Sequence, residues 1–242
     1  MSEAKDPYYN LPEVSNSDLS WLQKYWQAED LVYDLERAYR FGTLIDCMIT
    51  EPHKINFFKL TCAGEAYTKD EFAVAEQMKR SFYRDPFCRL LAEKSEFQKI
   101  TVRRDFPISH EGFDFKLHVR CKWDLNAKRL LRISGDIKST TATTEKQFLE
   151  ACHHFNYFRQ RAWYMDIDDV DRDMLIGISK VSPYRLFKIP IERGGELYAI
   201  GKQQYQQLAF KWFYLFSDIN ELYGPGDTQA RREELVQEQN LW

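Results

Sequence analysis

The sequence predicts an α/β/α protein: a central mixed β-sheet flanked by helices, with an added helical region on its N-terminal side. Three observations predict it. The first ninety-odd residues have helical texture, the stretch from Phe97 to Ile137 changes to β texture, and helix, strand, strand and helix then follow in turn. The 242 residues are 44% hydrophobic and 15% aromatic, enough to build a packed core, so disorder is not expected.

Taken in order, Asn16-Ser17-Asp18 caps a helix running to about residue 28, Asp30 opens another, and Asp70 or Glu71 begins a third. Asp85-Pro86 marks a break before a further short helix. Residues 98–102, 113–122 and 130–137 are rich in β-branched and aromatic side chains with partial alternation, as strands are. Leu125-Asn126-Ala127-Lys128 reads as a hairpin turn between the last two. Thr144-Glu145-Lys146-Gln147 fits a capping box and opens one long helix to about Met165. Strands over 174–179 and 184–189 and a final helix over 192–223 complete the pattern. Gly224-Pro225-Gly226 then sets off a charged tail, 227–242, that reads as a docking helix or a mobile end. No repeat or linker divides the chain, so one domain is expected: 1–95 mainly helical, 96–190 the sheet and its central helix, 191–242 the last helix and tail.

A formal charge of −3 excludes a protein that simply coats nucleic acid or an anionic membrane. Five cysteines form no C-x-x-C pair and no His/Cys cluster, so neither a zinc ribbon nor an iron–sulfur site is signalled, and small buried thiols are expected. No window approaches the length of a membrane span, and residues 1–10 lack the basic-then-apolar order of a leader, so the expected location is the cytoplasm.

Chemistry is concentrated in Asp124, Asp136 and Lys138. Phosphodiester hydrolysis needs carboxylates aimed at one point to hold divalent ions, plus a cation near the scissile phosphate. Asp136 and Lys138 lie two apart on one predicted strand, hence on one face of it, and Asp124 ends the strand before. By itself D-x-K is weak: Asp114-Phe115-Lys116 fits it too, and Glu3-Ala4-Lys5 fits its Glu form. Asp136-Ile137-Lys138 stands apart through its apolar strand, the preceding hairpin with Asp124 and the capped helix that follows. On that helix His153, Tyr157, Gln160 and Tyr164 form a polar-aromatic stripe opposite Phe148, Ala151, Cys152, Phe155, Ala162 and Met165. The stripe suits a phosphate backbone, although an amphipathic helix with an aromatic outer face is the plainer reading. Thr140, Thr141, Thr143 and Thr144 suit phosphate contacts as well, but a turn and a cap explain them better.

Together these residues resemble the PD-(D/E)XK exonucleases of the RecE and RecB-nuclease type, which include exodeoxyribonuclease VIII-like proteins of phages. The resemblance rests on Lys122-Trp123-Asp124, on Gly135-Asp136-Ile137-Lys138-Ser139-Thr140 and on Gln160-Arg161-Ala162-Trp163-Tyr164, similar to the family's Q-x-x-x-Y motif. Upstream, Phe41-Gly42-Thr43-Leu44-Ile45-Asp46 is similar to the segment that presents a His metal ligand, with Asp46 at that position. The resemblance implies a restriction-endonuclease-like core and a DNA exonuclease, double-strand 5′→3′, acting on linear duplex ends in phage-type recombination beside a single-strand annealing protein. It implies that Asp46, Asp124, Asp136 and the Ile137 carbonyl hold Mg²⁺ or Mn²⁺, and that Lys138 offsets phosphate charge. Gln160, Tyr164, Tyr157 and Thr140 would hold DNA or second-layer water. The net acidity then requires Lys122, Lys128, Arg129, Arg132, Arg159 and Arg161 to gather near the site. An endonuclease on the same fold stays open, as does a binding or assembly module without turnover, for which Asp46 in place of His would be the first symptom. The aromatic run Leu208, Phe210, Trp212, Phe213, Leu215 and Phe216 exceeds one core stripe and points to a homo-oligomer.

Overall fold

The computed structural model describes residues 7–27, 35–222, 230 and 232–237. The expected helix opening at Asp30 and the Gly224-Pro225-Gly226 break lie outside them. Local chemistry sets the helix starts. In α1 (Asn16–Gln27) the Asp18 carboxylate reaches back to the Ser15 N–H at 2.7 Å. After α2 (Leu35–Thr50) comes a small antiparallel sheet that the sequence did not announce, β1 (Ile55–Asn56), β2 (Thr61–Cys62) and β3 (Glu65–Ala66). Its strands are two residues long, too short for a periodic signal. Thr68 and Glu71 close a capping box on α3 (Lys69–Arg84). Asp85 caps α4 (Pro86–Lys94), accepting the Cys88 N–H at 2.9 Å, with Pro86 in the first turn, where its missing N–H has no partner to lose.

The main sheet runs β4 (Glu96–His110), β5 (Phe113–Asn126), β6 (Ser134–Thr140), β7 (Arg172–Ser179), β8 (Leu186–Glu192), in chain order across the sheet. Only β6 and β7 pair in parallel. The β4–β5 hairpin is longer than the predicted strands and turns at Glu111-Gly112, both at positive φ. The hairpin turn expected at 125–128 is not there. β5 continues through Asn126, and a one-turn helix, α5 (Lys128–Leu131), joins it to β6, so the strand expected over 130–137 begins only at Ser134 and runs on to Thr140.

The single helix expected from Thr144 to Met165 is two helices, α6 (Glu145–His154) and α7 (Tyr157–Asp168). The capping box of Thr144 and Gln147 forms as expected, but Asn156 adopts φ +55°, which ends one helix axis and starts another. The expected faces therefore do not run through: Phe155, placed on the apolar face, is 52% exposed, and α7 is buried nearly all round. α8 (Glu196–Leu222) crosses α7 so closely that a Cβ on Gly201 would stand 2.0 Å from the Phe158 carbonyl oxygen.

Two apolar cores lie on opposite faces of the sheet, one under α1, α6, α7 and α8, the other under α2, α3 and α4. Most aromatics of α8 pack inside the chain, Tyr214 being exposed. Trp212 and Phe216 meet Trp21 of α1, while Phe210 and Phe213 pack on Phe113 and Phe115 at the tip of the long hairpin. All five cysteines are buried. Among the described residues no helix is long and apolar enough to cross a membrane.

Candidate active site

β5 and β6 pair only at Leu125↔Gly135 and Asn126↔Ser134. One more step in that register sets Asp124 opposite Asp136, and there the ladder gives way: the Asp124 carboxylate accepts the Ile137 N–H at 2.8 Å in place of a backbone partner. The strands then fork. Along the edge β5 has lost, Val14 bridges Val119 on the way into α1. The N–H and C=O of one strand residue point to the same side, so the Ile137 carbonyl also faces the fork. Asp136 and Lys138 share a face of β6, as their spacing requires, with Lys138 Nζ 2.7 Å from Asp136 Oδ2. Asp46 joins them from α2. It accepts a hydrogen bond at Oδ2 from Gln98 of β4, and its Oδ1 is out of water with no partner.

Crowding three carboxylates here costs electrostatic energy, and their proton affinities register it. Burial, then the charges of Asp124 and Asp136, hold the Asp46 carboxyl well above the usual range, Lys138 offsetting only part. Burial and Asp136 push Asp124 up to about 6 against the pull of Lys138 and the Ile137 N–H. Burial alone would lower the Lys138 ammonium, but Asp136 and Asp124 reverse this and raise it, so it stays charged at neutral pH.

The other expected site residues fall into place unevenly. Tyr157 lies beside Lys138, whose Nζ is 5.0 Å from the ring centre. Gln160 donates to the Tyr164 hydroxyl at 3.5 Å, but Tyr164 is buried against Trp123 and the Arg161 guanidinium, a supporting position with no surface left for DNA. The Thr140 hydroxyl is turned to the Ala142 N–H, and Thr143 and Thr144 serve the α6 cap, as the plainer reading had it. A surface hollow of about 280 Å³ past the end of β6, lined by Thr143, Thr144, Ser179 and Arg185 among others, includes none of the four converging residues.

The expected basic gathering forms no exposed surface at two positions, although Arg161 does reach the site. Arg161 is wholly buried, its guanidinium spanning Asp136 Oδ1 at 2.6 Å and Asp173 Oδ2 at 2.5 Å. Arg159, also buried, binds Asn16, Ser20 and Gln23 of α1. Both arginines are spent inside the protein, because α7 is enclosed by α1, α8 and the sheet. Lys128 caps the Asp168 carbonyl, while Arg129 and Arg132 are exposed.

Sequence reasoning missed Gln98 and Asp173 and misplaced Arg161. A glutamine in a strand and an acid at a strand start carry no local signal. Only the fold brings them to the carboxylates.

A hard divalent cation suits this donor set: carboxylates that repel one another out of water, a carbonyl facing the same fork, and one buried oxygen without a partner. Among the described residues no three His, Cys, Asp or Glu side chains are drawn into a closed ligand shell, and Asp136 is held by Lys138 and Arg161. The residues fit an ion in kind, and Asp136 would have to exchange its hold by Lys138 and Arg161 for the ion.

No protein-family model matches the sequence, and no curated protein does. Among solved structures, a protein from Eubacterium rectale described as a candidate exonuclease aligns with a TM-score of 0.56 and 15% identity, over 86% of this chain and 84% of that one. A phage-related exonuclease from Haemophilus somnus 129PT aligns at 0.40 and 13% identity, over 86% of this chain and 96% of that one. LHK-Exo in complex with dAMP aligns at 0.34 and 14%, over 88% and 96%. The five-stranded mixed sheet flanked by helices is thus the expected α/β/α architecture, and the chain shares its fold with the Eubacterium rectale protein.

Proposed function

We propose that this chain is a metal-dependent nuclease that degrades linear duplex DNA from its ends. The observation that carries the reading is the convergence of Asp46, Asp124, Asp136 and Lys138, from two strands and a helix, on the fork between β5 and β6. The exonuclease description of the Eubacterium rectale protein, whose fold this chain shares, points the same way. Asp46, Asp124, Asp136 and the Ile137 carbonyl would hold Mg²⁺ or Mn²⁺. A bound ion of this kind supplies charge neutralisation at the scissile phosphate and activation of the attacking water.

The chain's own groups do the rest. The Ile137 N–H fixes the orientation of Asp124, so that carboxylate does not have to be ordered at the moment of reaction. Lys138, held protonated by its neighbours, stabilises negative charge as it builds on the phosphate or orients the water, and does not serve as a base at neutral pH. Tyr157 shields the Lys138 ammonium from one side, and the Gln160–Tyr164 pair backs the site through Trp123 and Arg161. From the family resemblance we carry over 5′→3′ polarity on duplex DNA, phage-type recombination with an annealing protein and self-association, and from the sequence reading a cytoplasmic location.

A second reading has its own support. The double hold of Lys138 and Arg161 on Asp136, with no closed ligand shell, favours a nucleic-acid-binding module that has lost turnover. Incubating purified protein with end-labelled linear duplex and covalently closed circular DNA, with Mg²⁺, Mn²⁺ or EDTA, separates these. The exonuclease reading expects metal-dependent loss of the linear substrate alone. Nicking of the circle would make it an endonuclease, and binding without cleavage under every condition would leave the binding module.

A further inference from the structure

We infer that Gln98 is a positioning residue of the proposed metal centre: its side-chain amide clamps one oxygen of Asp46 and leaves the other, Oδ1, for the ion. The inference rests on the metal-dependent reading above, and it begins with the backbone. Phe97 pairs with Leu125 and Lys99 with Trp123, so Gln98 stands abreast of Asp124, on the strand next to the fork. It does so at φ +51°, in the left-handed region that side chains avoid, as one of two such residues in β4 with Asp105 at the strand's register shift. Such a conformation costs about 1–3 kcal/mol and persists where surrounding contacts over-determine it, commonly at functional sites.

Gln98 Nε2 donates to Asp46 Oδ2 at 3.3 Å and to Thr50 Oγ1 at 2.9 Å, and Thr50 Oγ1 in turn donates to the Asp46 backbone carbonyl at 2.9 Å. Gln98, Thr50 and Asp46 thus form a closed ring that ties β4 to the last turn of α2 and fixes both ends of Asp46. An amide is suited to this task because it can donate to a carboxylate without adding a charge to a site already crowded with three acids. With Oδ2 engaged, the carboxylate cannot turn, and Oδ1 is left buried and unpaired. A buried oxygen in that state loses hydration with nothing in return unless something binds it.

The simpler alternative is that the ring only fastens β4 to α2. Two variants separate the roles, each measured in the full chain for Mn²⁺ affinity by calorimetry and for melting temperature without metal. Gln98→Gly removes the amide and relaxes the backbone, since glycine adopts positive φ freely. It should keep or raise the melting temperature while weakening Mn²⁺ about 10–100-fold, the usual effect of losing a group that orients a metal ligand. Gln98→Met keeps the length and loses the donor, and should weaken Mn²⁺ to a similar extent even if the glycine variant folds poorly. Wild-type affinity in either folded variant overturns the positioning role and leaves the nuclease reading intact. A wild-type chain that binds no Mn²⁺ overturns both.

Discussion

Asp124 is buried beside Asp136 with Lys138 and one backbone N–H to offset it, and burial first, then the Asp136 charge, pushes its carboxyl up to about 6. Its folded value lies above the ordinary carboxylate value of about 3.9, so the stability it contributes is complete below roughly pH 4 and is lost as pH rises through 6. Asp46 is shifted in the same direction. Metal-free Asp124→Asn should therefore melt above the wild type at pH 8 and with it at pH 4. Equal melting temperatures at pH 8 would contradict the crowding described. The same sign makes the melting-temperature gain from Mg²⁺ or Mn²⁺ larger at pH 8 than at pH 5, because the ion competes with protons for these oxygens. Arg161 works in the opposite sense. Removing it as Arg161→Met leaves Asp136 and Asp173 buried without their shared partner, and about 3–5 kcal/mol of stability should be lost in denaturant unfolding. At this scale the sequence disclosed the groups whose spacing is local, Asp136 and Lys138, and the acid one strand away. It concealed the groups that tertiary contact brings in, Gln98 and Asp173. It gave no warning that Arg161, next to a motif glutamine, points into the interior.

Helix starts were partly legible because caps are local chemistry: Thr144 with Gln147 acts where the sequence placed it and the Asp85-Pro86 break opens α4, whereas α3 starts at Lys69 behind a Thr68 cap that the reading from Asp70 or Glu71 passed over. Ends and breaks were less so. The Asn156 break divides a pattern whose periodicity suggests one helix, since α7 is buried nearly all round and its core-facing stripe cannot be told from its other faces. The β5–β6 connection was misread for a related reason. Asn126 and Ala127 have turn-like composition, yet they are buried where the ladder is formed, and the reversal is left to the α5 turn. That longer connection is what brings Asp124 level with Asp136 in register. The α7–α8 contact gives a sharp test. Gly201→Ala would place its methyl against the Phe158 carbonyl, which is backbone and cannot step aside. The helices must separate, at a cost of about 1–3 kcal/mol in denaturant unfolding.

For the molecule as a whole, the α/β/α class was readable from the change of texture along the chain, whereas the division of its interior into two cores on either side of one sheet was not. The surplus aromatics of α8 illustrate the limit. Their number suggested an intermolecular face, and Phe210 and Phe213, packed on the β4–β5 hairpin, remain half-buried beside the exposed Tyr214. At a net charge of −3, with Arg159 and Arg161 buried, the exposed bases Arg129 and Arg132 sit in the β5–β6 connection, at the closed end of the fork. What the architecture accomplishes is to bring β5, β6 and α2 together at one fork, and the account stands on that fork being a hydrolytic centre. Single-turnover cleavage of a linear duplex in Mg²⁺ by wild type and Lys138→Ala, with Mn²⁺ affinity measured on both, tests this most directly. Cleavage by the wild type is expected, with a loss of about 100–1000-fold in the variant and metal binding retained. Wild-type rates in Lys138→Ala would overturn the assignment of the fork as a hydrolytic centre.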